Sequence, residues 1–181
     1  TKNDISNRWL NARDFMQVAN LENPDTERVG NLLRSQLKSQ AEESIYITQG
    51  FVRINDRGEI STLNRGGSDF TATIIGAALN ASEIQIWTDI NGLHNNDPRV
   101  VENTFPVAQL SFEEAAELAY FGAKILHPQT ISPVIDKNIP VFLKNTFRPT
   151  DPGTCISAIS ETKGLKAISA KDNITAIKIK S

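Results

Sequence analysis

Apolar residues Val29, Leu32, Leu33, Leu37 and Ala41 recur at steps of three and four, so residues 25–43 predict an amphipathic helix after the Asn23-Pro24 break. The period then changes to two. Residues 44–48 alternate into Gln49-Gly50, and 51–54 and 59–60 flank Asn55-Asp56-Arg57-Gly58, which reads as a hairpin around a turn-forming tetrad. Before them, residues 9–15 read as a short strand running into a turn. Residues 70–79 carry Ala and Ile on nearly every face and predict a buried helix against a sheet. Residues 84–87 form a strand ending in the polar turn 88–92. Ser111 and Glu114 have capping-box spacing and open a helix through Ala115, Ala116 and Ala119 to Gly122. Pro128 suits the first position of another helix, which stops near Asn138-Ile139-Pro140, and residues 139–143 are the next strand. Strands alternating with long helices argue for an α/β fold with a largely parallel sheet and right-handed crossovers.

Composition narrows the function classes. Of 181 residues, 39% are hydrophobic and 22% charged, with a net charge of -2, values of an ordinary soluble globular protein. No basic surplus points to nucleic acid, and no apolar run approaches the roughly 20 residues of a membrane span. Residues 1–7 are polar, without the apolar core of a secretory signal, so a cytoplasmic protein is expected. A single cysteine, Cys155, fits a reducing compartment and reads as a buried, inert thiol. Trp87 and Met16 read as core residues.

Three stretches carry candidate chemistry. In Asn64-Arg65-Gly66-Gly67-Ser68-Asp69, two glycines let the backbone approach a ligand, and the helix that follows adds free N–H groups and a positive dipole end. Arg65 supplies a bidentate grip for a carboxylate, and Asp69 falls in the first helical turn. A tight Gly-Gly turn with an acidic cap is also a common structural device. The loop from Thr88 to Arg99 leaves the carboxyl end of a strand, where open α/β sheets bind ligands; Thr88, Asp89, His94 and Arg99 suit a nucleotide, and an ordinary polar loop is the plain alternative. Asp89 and Asp97 are weak evidence for a dedicated metal cage, and no metal site is assigned. Lys124 sits between a helix-breaking glycine and Pro128, where it reaches a phosphate or simply stays solvated, while His127 caps the helix that Pro128 opens.

Taken together, these stretches resemble the aspartate kinase family of the amino-acid kinase superfamily. Residues 62–72, Thr-Leu-Asn-Arg-Gly-Gly-Ser-Asp-Phe-Thr-Ala, are similar to the family's TLGRGGSDxTA. Residues 87–101 resemble its WTDVxGxxTxDPRxV loop, and residues 121–128 its FGAKVLHP string. The resemblance implies a three-layer α/β/α sandwich of the carbamate kinase-like type. It implies transfer of phosphate from MgATP to the side-chain carboxylate of L-aspartate, giving 4-phospho-L-aspartate, at the entry to lysine, threonine and methionine synthesis. Carried over by position, Arg65, Gly66, Gly67 and Ser68 hold aspartate, Asp69 organises the reacting centre, and Thr88, Asp89, His94, Arg99, Lys124 and Ile125 bind ATP with its Mg2+.

The departures matter as well. Asn64 stands where the family has glycine, and His94 where many relatives have tyrosine. The family's Lys-Phe-Gly-Gly-Thr-Ser string and a Gly-Glu pair that contacts aspartate do not occur, so these 181 residues alone are expected to lack an N-terminal part and to be nearly inactive. Residues 1–157 are read as the C-terminal portion of the kinase domain, and 158–181 as a linker and the first strand of a truncated ACT regulatory domain, where a feedback amino acid, lysine or threonine, binds in relatives. A homo-oligomer is expected, with no nucleic-acid or membrane partner. The alternatives are another amino-acid kinase, such as glutamate 5-kinase or uridylate kinase, and a non-catalytic regulatory fragment. Arg65-Gly66-Gly67-Ser68-Asp69 argues against the former.

Overall fold

The hairpin expected around Asn55-Asp56-Arg57-Gly58 forms because the Asn55 side chain builds its own turn. Its Oδ1 accepts from the Arg57 and Glu59 amides at 3.0 and 2.9 Å, and Gly58 takes a positive φ of 75°. In the computed structural model, which describes residues 5–37, 45–64, 66–121, 126–160 and 164–170, this turn joins β3 (Val52–Ile54) to β4 (Ile60–Thr62) as an antiparallel pair. Beside it β1 (Arg8–Leu10) pairs in parallel with β2 (Tyr46–Thr48), and a single 3-10 turn, Ala12–Asp14, follows β1. The apolar stripe after Pro24 becomes α1 (Thr26–Leu37), with Val29 and Leu33 buried. Residues 38–43 of the expected helix, and the expected tail strand at 174–180, lie outside the described residues.

A second sheet carries β5 (Ile84–Thr88), β6 (Gln109–Ser111), β7 (Val141–Asn145) and β8 (Thr154–Ser157) in the order β5-β7-β8-β6. The outer pairs, β5 with β7 and β6 with β8, are parallel, as the alternation of strands and helices implies. The central pair, β7 with β8, is antiparallel. A chain reversal at 146–153, ending in Gly153 at φ 71°, joins those two strands and makes that pairing possible. Sequence pattern alone does not reveal β6 and β8, which are three and four residues long.

The helix α2 (Gly67–Leu79) stands between two apolar clusters, which is why it has no polar face. Ala77 joins the cluster around the four-stranded sheet, with Leu110, Val141, Leu143 and Ile156, while Phe70, Ile74 and Ala78 join the other, with Phe15, Met16 and Val29. Burying a side chain such as Phe70 contributes about 1.5–3 kcal/mol. Both ends of α2 are fixed. At its C-terminus Arg34 donates to Ala78 O at 2.8 Å and Lys137 to Ala77 O at 2.8 Å, cations placed where the dipole favours them.

The remaining helices are α3 (Phe112–Phe121) and α4 (Pro128–Ile135). The capping box is present: the Ser111 amide donates to Glu114 Oε2 at 2.7 Å, and the Glu114 amide to Ser111 Oγ at 3.1 Å. His127 caps α4, its Nδ1 accepting from the Gln129 amide at 3.4 Å, with Pro128 at the first helical position. Residues 164–170 run back over this unit. Lys166 pairs with Glu114 at 2.7 Å, and the Ile168 amide donates to Asn95 O.

Met16 is fully buried, as expected, but Trp87 is not: it is 44% exposed. In β5 the burial alternates, with Ile84 and Ile86 turned inward, so Trp87 points out and lies under Lys144 Nζ at 5.6 Å from its ring centroid. Cys155 is half-buried, and burial pushes its thiol pKa up, which keeps it in the unreactive protonated form. Among the described residues, no helix is long and apolar enough to cross a membrane.

Candidate functional site

The segment leading into α2 is shaped by its backbone. Leu63, fully buried, anchors the end of β4, and Asn64 follows at φ 62°, a left-handed conformation that Asn tolerates better than most residues. Gly66 is the N-cap at φ 72° and offers α2 no side-chain cap. The first-turn amides of a 13-residue helix therefore face the cleft with their partial positive charge, an arrangement that binds anions. Phe51, Asn64, Gly66, Gly67, Ser68 and Asp69 line a cleft of about 230 Å³ at this point.

Close packing requires both glycines. A Cβ on Gly66 would come within 2.9 Å of His127 Cβ, and one on Gly67 would run into the Phe51 ring. Phe51 holds an uncommon φ of 73°, fixed by its amide donating to Thr71 Oγ1 at 3.0 Å and its carbonyl accepting from the Leu63 amide at 2.9 Å. Thr71 in turn donates to Gly67 O at 2.8 Å, which locks ring, strand and helix together. Phe51 is a site residue that sequence reasoning missed. It falls in an apparent strand, and only the glycine before it hints at a break.

Asp69 lies in the first turn of α2 and is half-buried. Burial pushes its carboxyl pKa above the ordinary value. Gly66, Gly67, Ser68 and Asp69 are thus brought together, whereas Arg65 lies outside the described residues.

The second stretch begins at the carboxyl ends of β5 and β7, which are neighbours in register from Ile84–Val141 to Thr88–Asn145. Its base is stitched to the sheet by buried Thr154, whose Oγ1 accepts from the Leu93 amide at 2.8 Å and donates to Val107 O at 2.7 Å. Gly92, at φ 106°, packs where a Cβ would strike Thr154 Oγ1. Asn145 hydrogen-bonds Asn91, and the Thr146 amide donates to Thr88 O at 2.8 Å, tying the turn after β7 to the loop. Thr154 carries no local sequence signal, because its partners lie 61 and 47 residues away, whereas Asn145 combines a local turn bond, accepted from the Phe147 amide at 2.8 Å, with a partner 54 residues away.

Side chains along this loop are mutually engaged. Thr88 Oγ1 donates to Asp89 Oδ1 at 3.0 Å, His94 Nδ1 lies 2.8 Å from Thr104 Oγ1, and Arg99 pairs with Asp97 through Nε and Nη2. Arg99 is two-thirds exposed, and its hydrogen bond to Asp97, with that residue's charge, raises its pKa further, so it is always a cation. Thr88, Asp89, His94 and Arg99 thus share one surface loop at a sheet's carboxyl edge, while Lys124 and Ile125 lie outside the described residues. Among the described residues no group of three or more His, Cys, Asp or Glu side chains converges.

The sequence and the fold both have known relatives. Lysine-sensitive aspartokinase 3 of Escherichia coli strain K12 is 37% identical over 182 residues, covering 98% of this chain and 40% of that protein. Chloroplastic aspartokinase 1 of Arabidopsis thaliana is 48% identical over 126 residues, covering 68% of this chain and 22% of the relative. The fold matches a crystal structure of E. coli aspartokinase III in complex with aspartate and ADP at a TM-score of 0.83 and 38% identity, over 92% of this chain and 38% of that one. A Clostridium acetobutylicum aspartate kinase gives 0.72 and 34%, over 90% and 36%. The chain spans 40% or less of the length of these relatives. The amino acid kinase family model matches residues 1–145, four fifths of the sequence, and the α/β architecture agrees with it: the chain belongs to the amino acid kinase family.

Proposed function

We propose that this chain is the nucleotide- and substrate-holding portion of an aspartate kinase, which transfers the γ-phosphoryl group of MgATP to the side-chain carboxylate of L-aspartate. The observation that carries the reading is the uncapped N-terminus of α2 opening into the cleft beside Gly66 and Gly67. Its amides hold a carboxylate without a counter-charge of their own. Support comes from an aspartokinase crystallised with aspartate and ADP, whose fold this chain matches.

In this reading a carboxylate oxygen of aspartate attacks the γ-phosphorus, the bond from that phosphorus to the bridging oxygen of ADP breaks, and ADP leaves with the electron pair. Such a transfer depends mainly on positioning and charge neutralisation. The first turn of α2 fixes the carboxylate, the Phe51 ring and Gly67 set how deeply it enters, and Arg65 grips the substrate in a bidentate pair. Asp69, whose carboxyl pKa burial raises, orders the loop from the first turn of α2. Thr88, Asp89 and His94 hold the nucleoside side, while Arg99, Lys124 and Ile125 hold the phosphate side, and Mg2+ arrives with ATP.

The same reading assigns the protein to lysine, threonine and methionine biosynthesis in the cytoplasm, as a homo-oligomer under feedback by lysine or threonine through an ACT region beginning near residue 158. Lysine feedback is suggested by an aspartokinase III crystallised with lysine and aspartate. The test is to incubate the full-length protein with MgATP and L-aspartate, trap the acyl phosphate with hydroxylamine, and follow ADP release. Aspartate-dependent hydroxamate is expected; turnover with L-glutamate or UMP and none with aspartate would replace the assignment with another member of the family.

A further inference from the structure

One buried polar atom stands out beside Gly66. Thr130, in the first turn of α4, is 1% exposed, and its Oγ1 has no hydrogen-bond partner among the described residues. Its backbone is already engaged, the amide donating to His127 O at 2.8 Å. A buried hydroxyl without a partner is costly, and native proteins rarely keep one without use. Its position is informative: a Cβ built on Gly66 would lie 3.5 Å from Thr130 Oγ1 and 2.9 Å from His127 Cβ. The hydroxyl therefore lies beside the backbone of the N-cap residue of α2.

We infer that Thr130 is a positioning residue for the anion-binding turn, its hydroxyl pairing with the Gly66–Gly67 backbone when a carboxylate substrate draws that turn into its working arrangement. Glycine at position 66 keeps the loop within reach, since any side chain there would hold it off α4. The loop's neighbour on this side is the first turn of a helix whose start is pinned by the His127 cap, so it offers a fixed point. Thr130 does not touch the ligand. It lowers the energy of the loop conformation that does, so its contribution appears in substrate affinity and not in ligand-free stability. The inference rests on the aspartate reading of this cleft.

The test compares Thr130→Val and Thr130→Ser with wild type in the full-length protein, measuring ligand-free melting, the melting shift with L-aspartate, and the Michaelis constants for aspartate and ATP. Valine matches threonine in shape and removes the unpaired hydroxyl. The expected result is a ligand-free melting temperature equal to or above wild type, an aspartate constant raised roughly three- to tenfold, an ATP constant unchanged, and restoration by serine. A Thr130→Val protein that melts lower without ligand yet keeps the wild-type aspartate constant would show the hydroxyl already engaged in packing, and would overturn the inference alone. A wild type with no aspartate-dependent shift or turnover would overturn the aspartate reading and the inference with it.

Discussion

The two halves of the proposed site are built by different means. Around α2 the shape comes from backbone: two glycines in close contact, an aromatic residue held at positive φ, and a helix end without a side-chain cap. The loop from Thr88 to Arg99 is instead an array of polar side chains that satisfy one another at the surface, above a base fixed by Thr154 and Asn145. The difference teaches where mutations act. A change in the first half moves the reacting groups, whereas a change in the second removes a contact and leaves the geometry intact.

The largest effect is expected at Gly67. Its substitution by Ala sets a methyl against the Phe51 ring, which Thr71 and Leu63 hold in place, so helix or ring must shift. Displacement of about an ångström is enough to lower kcat/KM roughly 100-fold. Steady-state kinetics of Gly67→Ala against Phe51→Ala checks this: if the contact is the cause, the double variant recovers part of the loss.

Asp69→Asn should separate function from stability. Turnover falls about tenfold as a charged hydrogen-bonding group is lost. Stability moves the other way. Because burial raises the folded carboxyl pKa, the wild type gives up stability as pH rises through the interval between the unfolded and the folded pKa. The variant should therefore melt higher than wild type at neutral pH, with the advantage shrinking as pH falls through that interval. Melting curves across acid pH measure it directly.

Much of this was legible in the sequence, for reasons tied to range. The capping box at Ser111, the His127-Pro128 helix start and the hairpin turn at Asn55 depend on residues within four positions of each other, and each forms as its spacing implies. The all-round apolar character of residues 70–79 correctly announced a buried helix, although not that it would stand between two apolar clusters. What failed to show depends on distant partners. Phe51 owes its conformation to Thr71, Thr154 serves a loop some 60 residues away, and Trp87 faces outward because of its place in a strand, although its type suggests a core. The antiparallel β7–β8 pair was hidden for the same reason, since the partner of β7 is a strand too short to announce itself.

Smaller effects sharpen the comparison from the other side. Arg99→Ala should raise the Michaelis constant for ATP roughly five- to tenfold and leave that for aspartate unchanged, without altering the melting temperature, because an exposed ion pair contributes little to stability. A larger change in the aspartate constant would show that the two halves are not separable in this way.

The smallest effect is expected outside both halves. Burial of Glu114 pushes its pKa up, but the hydrogen bonds and charge of Lys166 and the Ser111 contacts outweigh it, and the net shift is downward. A depressed carboxylate pKa contributes stability that is present above the unfolded pKa and lost as pH falls through the folded one. Lys166→Met should therefore cost about 0.5 kcal/mol at neutral pH and progressively less in acid, with both Michaelis constants unchanged. Thermal melts at several pH values, alongside kinetics, check it.

The most direct test of the account is a crystal structure of the full-length protein grown with L-aspartate and ADP. The expected density places an aspartate carboxylate within hydrogen-bonding distance of the Gly67 to Asp69 amides, and the ADP phosphates beside the loop from Thr88 to Arg99. Aspartate bound away from the start of α2, or ADP phosphates occupying that helix end, would contradict it.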